Sequence, residues 1–313
     1  MQSKRFSLKI NHKIKPFKKS IKVDSDKSLS IRSFLIGSIS QNISIAKNVL
    51  ESEDIFSTIN CLRKLGVVIE KSKPGTYLIY GKGLGSLYAK KKLNLNFGNS
   101  GTLARLLIGI LSTTPNIEIK LSGDSSLNKR SMKKLINLMS SFGAEFLPKR
   151  KFNFPLKLIS TEMPVGIKYK AGVSAQLKSA VILAGLNSYG VTEITEEQKS
   201  RDHTEKMLIN SSRAIKIIKG KKILIEIFGK KYLNSINVSI PGDPSSAAFF
   251  TALTLLSKNS SLRIKNVCLN PTRIGFYELL KSHGANIKFS NKRKKNNEIV
   301  GDINIKSGKF KDQ

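Results

Sequence analysis

The chain has 313 residues, 40% apolar and 24% charged, enough to fill one large core or two smaller ones and too much for wholesale disorder. Its longest apolar runs, LLIGIL (106–111) and VILAGL (181–186), fall far short of a bilayer span, and the N-terminal MQSKRFSLKINHKIKPFKK has no apolar stretch of the signal-peptide kind. Basic residues number 55 against 21 acidic ones, a net charge of +34, but the lysines are dispersed and no basic stripe is interleaved with aromatics, which favours a solvated surface over a nucleic-acid face and leaves a basic nucleic-acid-binding protein as the lesser alternative.

Residues 21–23 read as a strand, with Ser25 or Asp26 capping a helix that carries Leu29, Phe34, Leu35 and Ile39 on its apolar side. Lys27 and Ser28 then fall in the first turn and Arg32 one turn on. Free N–H groups, the helix dipole, an ammonium and a hydroxyl converge there, which suits phosphate or carboxylate, although ordinary solvated capping uses the same residues. The strand-like LNLNF (93–97) leads into Gly98-Asn99-Ser100-Gly101-Thr102 and a strongly apolar helix. Two glycines let backbone N–H groups approach an anion, Thr102 can cap or donate, and Arg105 sits one turn inside. Neither GKS/T nor GxGxxG is present, so no nucleotide fingerprint applies. Further on, GDSSLNKRSM (123–132) places Lys129 and Arg130 at a helix start, and GVSAQLKSAVILAGL (172–186) begins a helix with Ser174 and Gln176. SRDHTEKML (200–208) sets Arg201 just before another helix, with Asp202 near its N-cap.

A helix-ending signature recurs at Gly66, Gly143 and Gly284, each a left-handed C-cap candidate followed by a short β-like run. A weaker copy puts Arg213 in the glycine's place. The copies are spaced by about 70 residues, an internal repeat. Strand-like IEIKLS (117–122), KKILIEIF (221–228) and LRIKNV (262–267) fall between the helices, so an α/β or α+β architecture of duplicated units is expected. KRKK (292–295) with Asn296 and Asn297 reads as a loop. Cys61 and Cys268 are far apart and form no CxxC pair, which points to a reducing, cytoplasmic setting without a metal cluster or disulfide framework. Repeated units whose helix starts offer Lys, Arg, Ser, Gln and Gly suggest a cleft for a small, multiply anionic molecule.

DKSLSIR (26–32), GNSGT (98–102), SAQLKSA (174–180), SRDHTE (200–205), PGDPSSAAFF (241–250) and NPTRIGF (270–276) resemble, in that order, the motifs of the EPSP synthase family, the 3-phosphoshikimate 1-carboxyvinyltransferases. The resemblance covers nearly the whole chain. It implies an enolpyruvyl transferase fold of βαβαββ units in two domains, here residues 23–238 as a complete three-unit domain and residues 1–22 plus 239–313 as a partial second one. It implies transfer of the enolpyruvyl group of phosphoenolpyruvate to the 5-hydroxyl of shikimate 3-phosphate, without metal or organic cofactor. Carried over position by position, Lys27 would be catalytic and touch both substrates. Ser28, Arg32, Ser174, Ala175, Gln176 and Arg201 would hold shikimate 3-phosphate, while Asn99, Gly101 and Arg130 would line the phosphoenolpyruvate site.

Ser25 stands where the family has Gly, and Ser131 where it has Pro. The resemblance also expects a later catalytic Asp, a Lys-Glu pair and two arginines that no segment of these 313 residues supplies. The chain is therefore expected to be a monomer or to need a complementary C-terminal segment, with an apolar face left open on the partial domain. A phosphoshikimate-binding fragment without turnover is the alternative that this departure favours. A sister transferase acting on UDP-N-acetylglucosamine fits less well, because neither cysteine sits where its reactive loop would be. His203, inside SRDHTE, reads as structural or capping as readily as acid/base.

Overall fold

The computed structural model describes residues 14–90, 92–209 and 211–308, together with Ser7 and Lys9. The start of the N-terminal segment discussed above, with His12, lies outside the described residues. In chain order the elements begin with β1 (Lys18–Ile21), α1 (Lys27–Ile39), β2 (Ile43–Lys47), α2 (Glu53–Lys64), β3 (Val68–Lys73) and β4 (Thr76–Tyr80). Next come β5 (Asn94–Asn96), α3 (Gly101–Ser112), β6 (Glu118–Ser122), α4 (Ser125–Asn128), α5 (Lys133–Ser141), β7 (Glu145–Leu147) and β8 (Leu156–Ile159). They are followed by β9 (Lys168–Ala171), α6 (Ala175–Leu186), β10 (Val191–Glu196), α7 (His203–Ile209), β11 (Ile215–Lys219) and β12 (Ile223–Phe228). The last are β13 (Asn237–Ser239), α8 (Pro244–Leu256), β14 (Ser261–Cys268), α9 (Gly275–Ser282), β15 (Ile287–Lys295) and β16 (Glu298–Lys306).

These strands make four sheets of one topology: β13-β2-β4-β3, β5-β6-β8-β7, β9-β10-β12-β11 and β1-β14-β16-β15. In each, the first pair is parallel and the other two are antiparallel. A parallel pair needs a crossover, and a helix supplies it in each unit: α3, α6, and, by exchange of first strands, α1 and α8. The exchange is the organising feature. β1 precedes α1 in the chain but pairs with β14, whereas β13 precedes α8 but pairs with β2. The chain thus crosses twice between a large core, from Leu29 in α1 to Ile240, and a smaller one around Ile264, Tyr277 and Ile303. At the crossing the two segments are tied by Asp26 N–H to Pro241 O and Asp243 N–H to Asp24 O, both 2.8 Å.

Gly66, Gly143 and Gly284 have φ of +85°, +104° and +86°, as C-cap glycines require. The fourth copy differs: α7 ends at Ile209, and Ser211 and Ser212 N–H both return to Leu208 O, closing the turn before Arg213 is reached. The first strand ends at Ile21, short of the 21–23 expected. KRKK is the second half of β15 and not a loop, because the turn falls on Asn296 and Asn297, both at positive φ. β15 is an edge strand, and its exposed lysines discourage pairing with another chain.

Candidate functional site

The four crossover helices each begin at a side chain that accepts a first-turn backbone N–H. Asp26 accepts from Leu29 (2.9 Å), Ser100 from Leu103 (3.3 Å), Ser174 from Leu177 (3.4 Å) and Asp243 from Ser245 (2.8 Å). Asp26 is therefore the cap of α1, while Ser25 bridges to Gly242. Ser100, and not Thr102, caps α3. Helices α3 and α6 lie side by side and parallel: Gln176 meets Thr102 and Arg105 at their starts, and Thr113 Oγ1 donates to Ala184 O (3.2 Å) at their ends. Gly109 permits this approach, since a Cβ there would stand 2.6 Å from Ala180 O. Arg32 joins α1 to the same end of α6 through Ser179. Three helix N-termini, with their unsatisfied amides and positive dipole ends, consequently face one side.

Arg32 is buried, and its partners are hydroxyls and a carbonyl. Nε donates to Thr204 Oγ1 (2.8 Å), Nη1 to Ser28 Oγ (2.5 Å) and Ser28 O (3.0 Å), and Nη2 to Ser179 Oγ (3.1 Å). Burial lowers its pKa to about 10, against the opposing pull of Glu205 and Asp26. Its nearest carboxylates, Glu205 and Asp26, act at a distance, so no carboxylate bonds this buried cation directly, an arrangement suited to an anionic ligand. Lys27 is half-exposed, and its ammonium lies 3.3 Å from Asp54 Oδ2.

Beside it, two guanidinium groups flank Gly101. A Cβ at that position would lie 2.7 Å from Arg105 Nη1 and 3.3 Å from Arg130 Nη1, so only glycine leaves the corner open. Arg105 Nη1 donates to Gly101 O and to Gln176 Oε1, both 3.0 Å, and Gln176 Nε2 donates to Thr102 Oγ1 (2.9 Å). Arg130 Nη2 donates to Asn99 Oδ1 (2.6 Å) and Ser126 Oγ (3.3 Å). Partial burial and then the charge of Arg130 hold Arg105 below the ordinary guanidinium range. A cavity of about 680 Å³ borders this corner, lined by Arg105, Ser174, Tyr169 and Leu177 among others. Lys129 and Arg130 follow the one-turn helix α4, whose cap is Asp124, and so sit at a helix end in the link before α5.

The expected residues on α1, α3 and α6 are thus brought together, with Ser174 and Ala175 at the α6 start. Arg201 is more peripheral. It is exposed, and partial burial followed by the charge of Arg273 lowers its pKa. Arg105, Ser179, Thr204 and Arg273 were not assigned roles from sequence. All four lie in or beside the motifs quoted, and Arg105 is one turn from Gly101, the spacing that puts both on one helix face. His203 is structural in its contacts: Nε2 accepts from Arg273 Nη1 (3.2 Å), leaving the proton on Nδ1, which faces Glu298 Oε1 at 2.6 Å. A separate hollow of about 620 Å³ lies at the opposite ends of α1 and α6, lined in part by Lys82, Lys230 and Lys231. There the backbone N–H groups of Lys82 and Lys230 satisfy Ser38 O and Leu186 O, carbonyls at the C-terminal ends of α1 and α6. Among the described residues, no group of three His, Cys, Asp or Glu could hold a metal ion, and no helix is long and apolar enough to cross a membrane.

A sequence profile described as EPSP synthase (3-phosphoshikimate 1-carboxyvinyltransferase) matches residues 11–310. The 3-phosphoshikimate 1-carboxyvinyltransferase of Paramagnetospirillum magneticum is 38% identical over 299 residues, covering 95% of this chain and 67% of that protein. That of Sulfurihydrogenibium sp. is 40% identical over 296 residues, covering 94% and 68%. The solved structure of EPSP synthase from Acinetobacter baumannii superposes with a TM-score of 0.83 at 36% identity, over 95% of this chain and 66% of that one. The chain spans about two thirds of the length of the relatives it matches. With its four repeated units and the ordered motifs at their helix starts, this chain belongs to the EPSP synthase family.

Proposed function

We propose that the cleft at the heads of α1, α3 and α6 binds shikimate 3-phosphate and phosphoenolpyruvate, and that the chain takes part in enolpyruvyl transfer between them. The observation that carries this reading is the set Arg32, Arg105 and Arg130, whose hydrogen-bond partners are hydroxyls, amides and carbonyls at three aligned helix N-termini. Both substrates carry a phosphate and a carboxylate, the groups that such an array recognises. Ser28, Arg32, Ser174, Ala175, Gln176 and Arg201 serve the shikimate phosphate and ring hydroxyls. Asn99, Gly101 and Arg130 serve phosphoenolpyruvate, and Arg105 ties the two through Gln176.

In the reaction, the 5-hydroxyl gives up its proton as its oxygen bonds to C2 of phosphoenolpyruvate, and the opened double bond takes a proton at the methylene carbon, which becomes a methyl group. Loss of a methyl proton then re-forms the double bond as inorganic phosphate leaves. Lys27, at the edge of both subsites, stabilises the developing negative charge, and the fixed arginines supply the preorganised field. Residues 23–238 and residues 1–22 with 239–313 act as the two bodies between which the substrates lie. The buried free thiols of Cys61 and Cys268, whose pKa burial pushes up to about 12, suit a reducing cytoplasm.

Calorimetric titration with shikimate 3-phosphate, paired with phosphate release in the presence of both substrates, tests the reading. Binding is expected, and Arg32→Met should weaken it by about 10- to 100-fold, the loss of one or two charge-assisted hydrogen bonds. Phosphate release should require both substrates. Binding without release would sink the transferase step, and no binding to folded chain would sink the site itself.

A further inference from the structure

We propose that Arg273 is a positioning residue for the α1 anion turn, a cation clamped between the two N-cap carboxylates that would otherwise repel the substrate. The inference rests on the reading of α1 as part of the shikimate 3-phosphate site.

The crossover helices begin on two kinds of cap. Those of α3 and α6 are Ser100 and Ser174, both neutral, whereas those of α1 and α8 are Asp26 and Asp243. An anionic cap suits an isolated helix but opposes an anion arriving at the same turn. α1 is the helix with Lys27 and Ser28 in that turn, so its cap charge needs neutralising. Arg273 does this from the loop between β14 and α9. Its Nη1 lies 2.6 Å from Asp26 Oδ2, and its Nη2 lies 2.7 Å from Asp243 Oδ1 and 3.1 Å from Ser245 Oγ. Asp26 and Arg273 are both buried at the side chain, so solvent cannot substitute for either.

Direction matters as much as charge. Asp26 Oδ1 is committed to Leu29 N–H and its backbone N–H to Pro241 O, so the guanidinium on Oδ2 fixes the carboxylate plane and with it the first turn of α1. The same guanidinium donates to His203 Nε2 (3.2 Å), and His203 begins α7, the helix whose Thr204 holds Arg32. One planar fork therefore aligns the α1 turn, the α8 turn and the residue beside Thr204. A lysine carries the charge but not this geometry.

The test uses the 313-residue chain, with shikimate 3-phosphate as titrant. Arg273→Gln should weaken binding about 10- to 100-fold and Arg273→Lys about 10-fold, in proportion to the charge-assisted bonds lost. The decisive variant is Asp26→Asn combined with Arg273→Gln: asparagine still caps α1, the uncompensated charge on that cap is gone although Asp243 keeps its own, and most of the affinity should return. A double variant as weak as Arg273→Gln alone would overturn the charge-compensating role. Amide exchange gives a second readout, independent of ligand. Arg273→Gln should speed exchange in residues 26–32 and 243–249 while leaving 175–186 unchanged. If the wild-type chain takes up no shikimate 3-phosphate, the functional reading falls and exchange alone decides the positioning role. Unchanged exchange at 26–32, or an equal rise across all helices, would overturn it.

Discussion

Lys178 has no contact with solvent, and its ammonium lies 2.8 Å from Glu196 Oε1 and 2.7 Å from Glu205 Oε1. Glu196 Oε1 also accepts Ser200 N–H, but Glu205 Oε2 is buried and bonds no described residue. Two carboxylates around one ammonium leave an excess negative charge, and burial, opposed by Lys178, raises the Glu205 carboxyl above its ordinary value of 4.5. The native chain then holds a proton that the unfolded chain has released. Stability from this group is fully present below pH 4.5 and is lost as pH rises through the folded value. Glu205→Gln, which cannot titrate, should flatten that decline in denaturant unfolding measured from pH 4.5 upward; a wild-type-like slope would contradict the assignment. The ion group also matters to the site, because Ser179 and Thr204, the next residues to Lys178 and Glu205, grip Arg32. Sequence placed all four inside recognisable motifs. That they are buried together depends on α6 meeting α7, which no local pattern displays.

Helices α1, α3 and α6 are hydrophobic almost all round, and packing explains it: 11 of 13, 10 of 12 and 10 of 12 of their residues are buried, as a helix surrounded by sheets and sister helices requires. Close approach of α3 to α6 rests on Gly109. Gly109→Ala should cost about 1–3 kcal/mol in thermal or denaturant unfolding, because the new methyl meets backbone that cannot yield. Gly275→Ala, at the start of α9 where a Cβ meets nothing within 4 Å, is the control and should gain about 0.4–1 kcal/mol. Equal effects at the two positions would contradict the packing argument. Glycine caps, alternating strands and the long apolar helices were legible because each is a local rule. The KRKK run was not, since a charged edge strand and a charged loop have the same composition, and only pairing with β16 separates them.

At the scale of the molecule, α8 is the exception. It has the same place and the same apolar character as its three counterparts, yet only 5 of its 13 residues are buried. Phe249 and Leu256 are 80% and 81% exposed, Phe250 and Leu253 of the same helix are exposed as well, and so are Phe276 and Leu279 of α9. The smaller core around Ile264 and Tyr277 thus leaves an apolar face uncovered. An environment-sensitive apolar dye should light up on the folded chain. Phe249→Glu with Leu256→Glu should reduce that signal and leave the melting temperature in place, because neither side chain belongs to a core. An unchanged signal would show that the dye reports another surface.

By itself, the sequence determined the repeat, the α/β character, the starts of the four crossover helices and the family, because capping, periodicity and motif order are written in residues close along the chain. Tertiary structure alone decided which strand joins which sheet and how the cations are balanced. The exchange of β1 and β13 cannot be seen locally, since each strand leads into one unit and pairs in another. Charge balance is likewise a matter of distance in space. Arg32 and Arg273 look alike in sequence, but one ends among hydroxyls and the other between Asp26 and Asp243, 247 and 30 residues away along the chain.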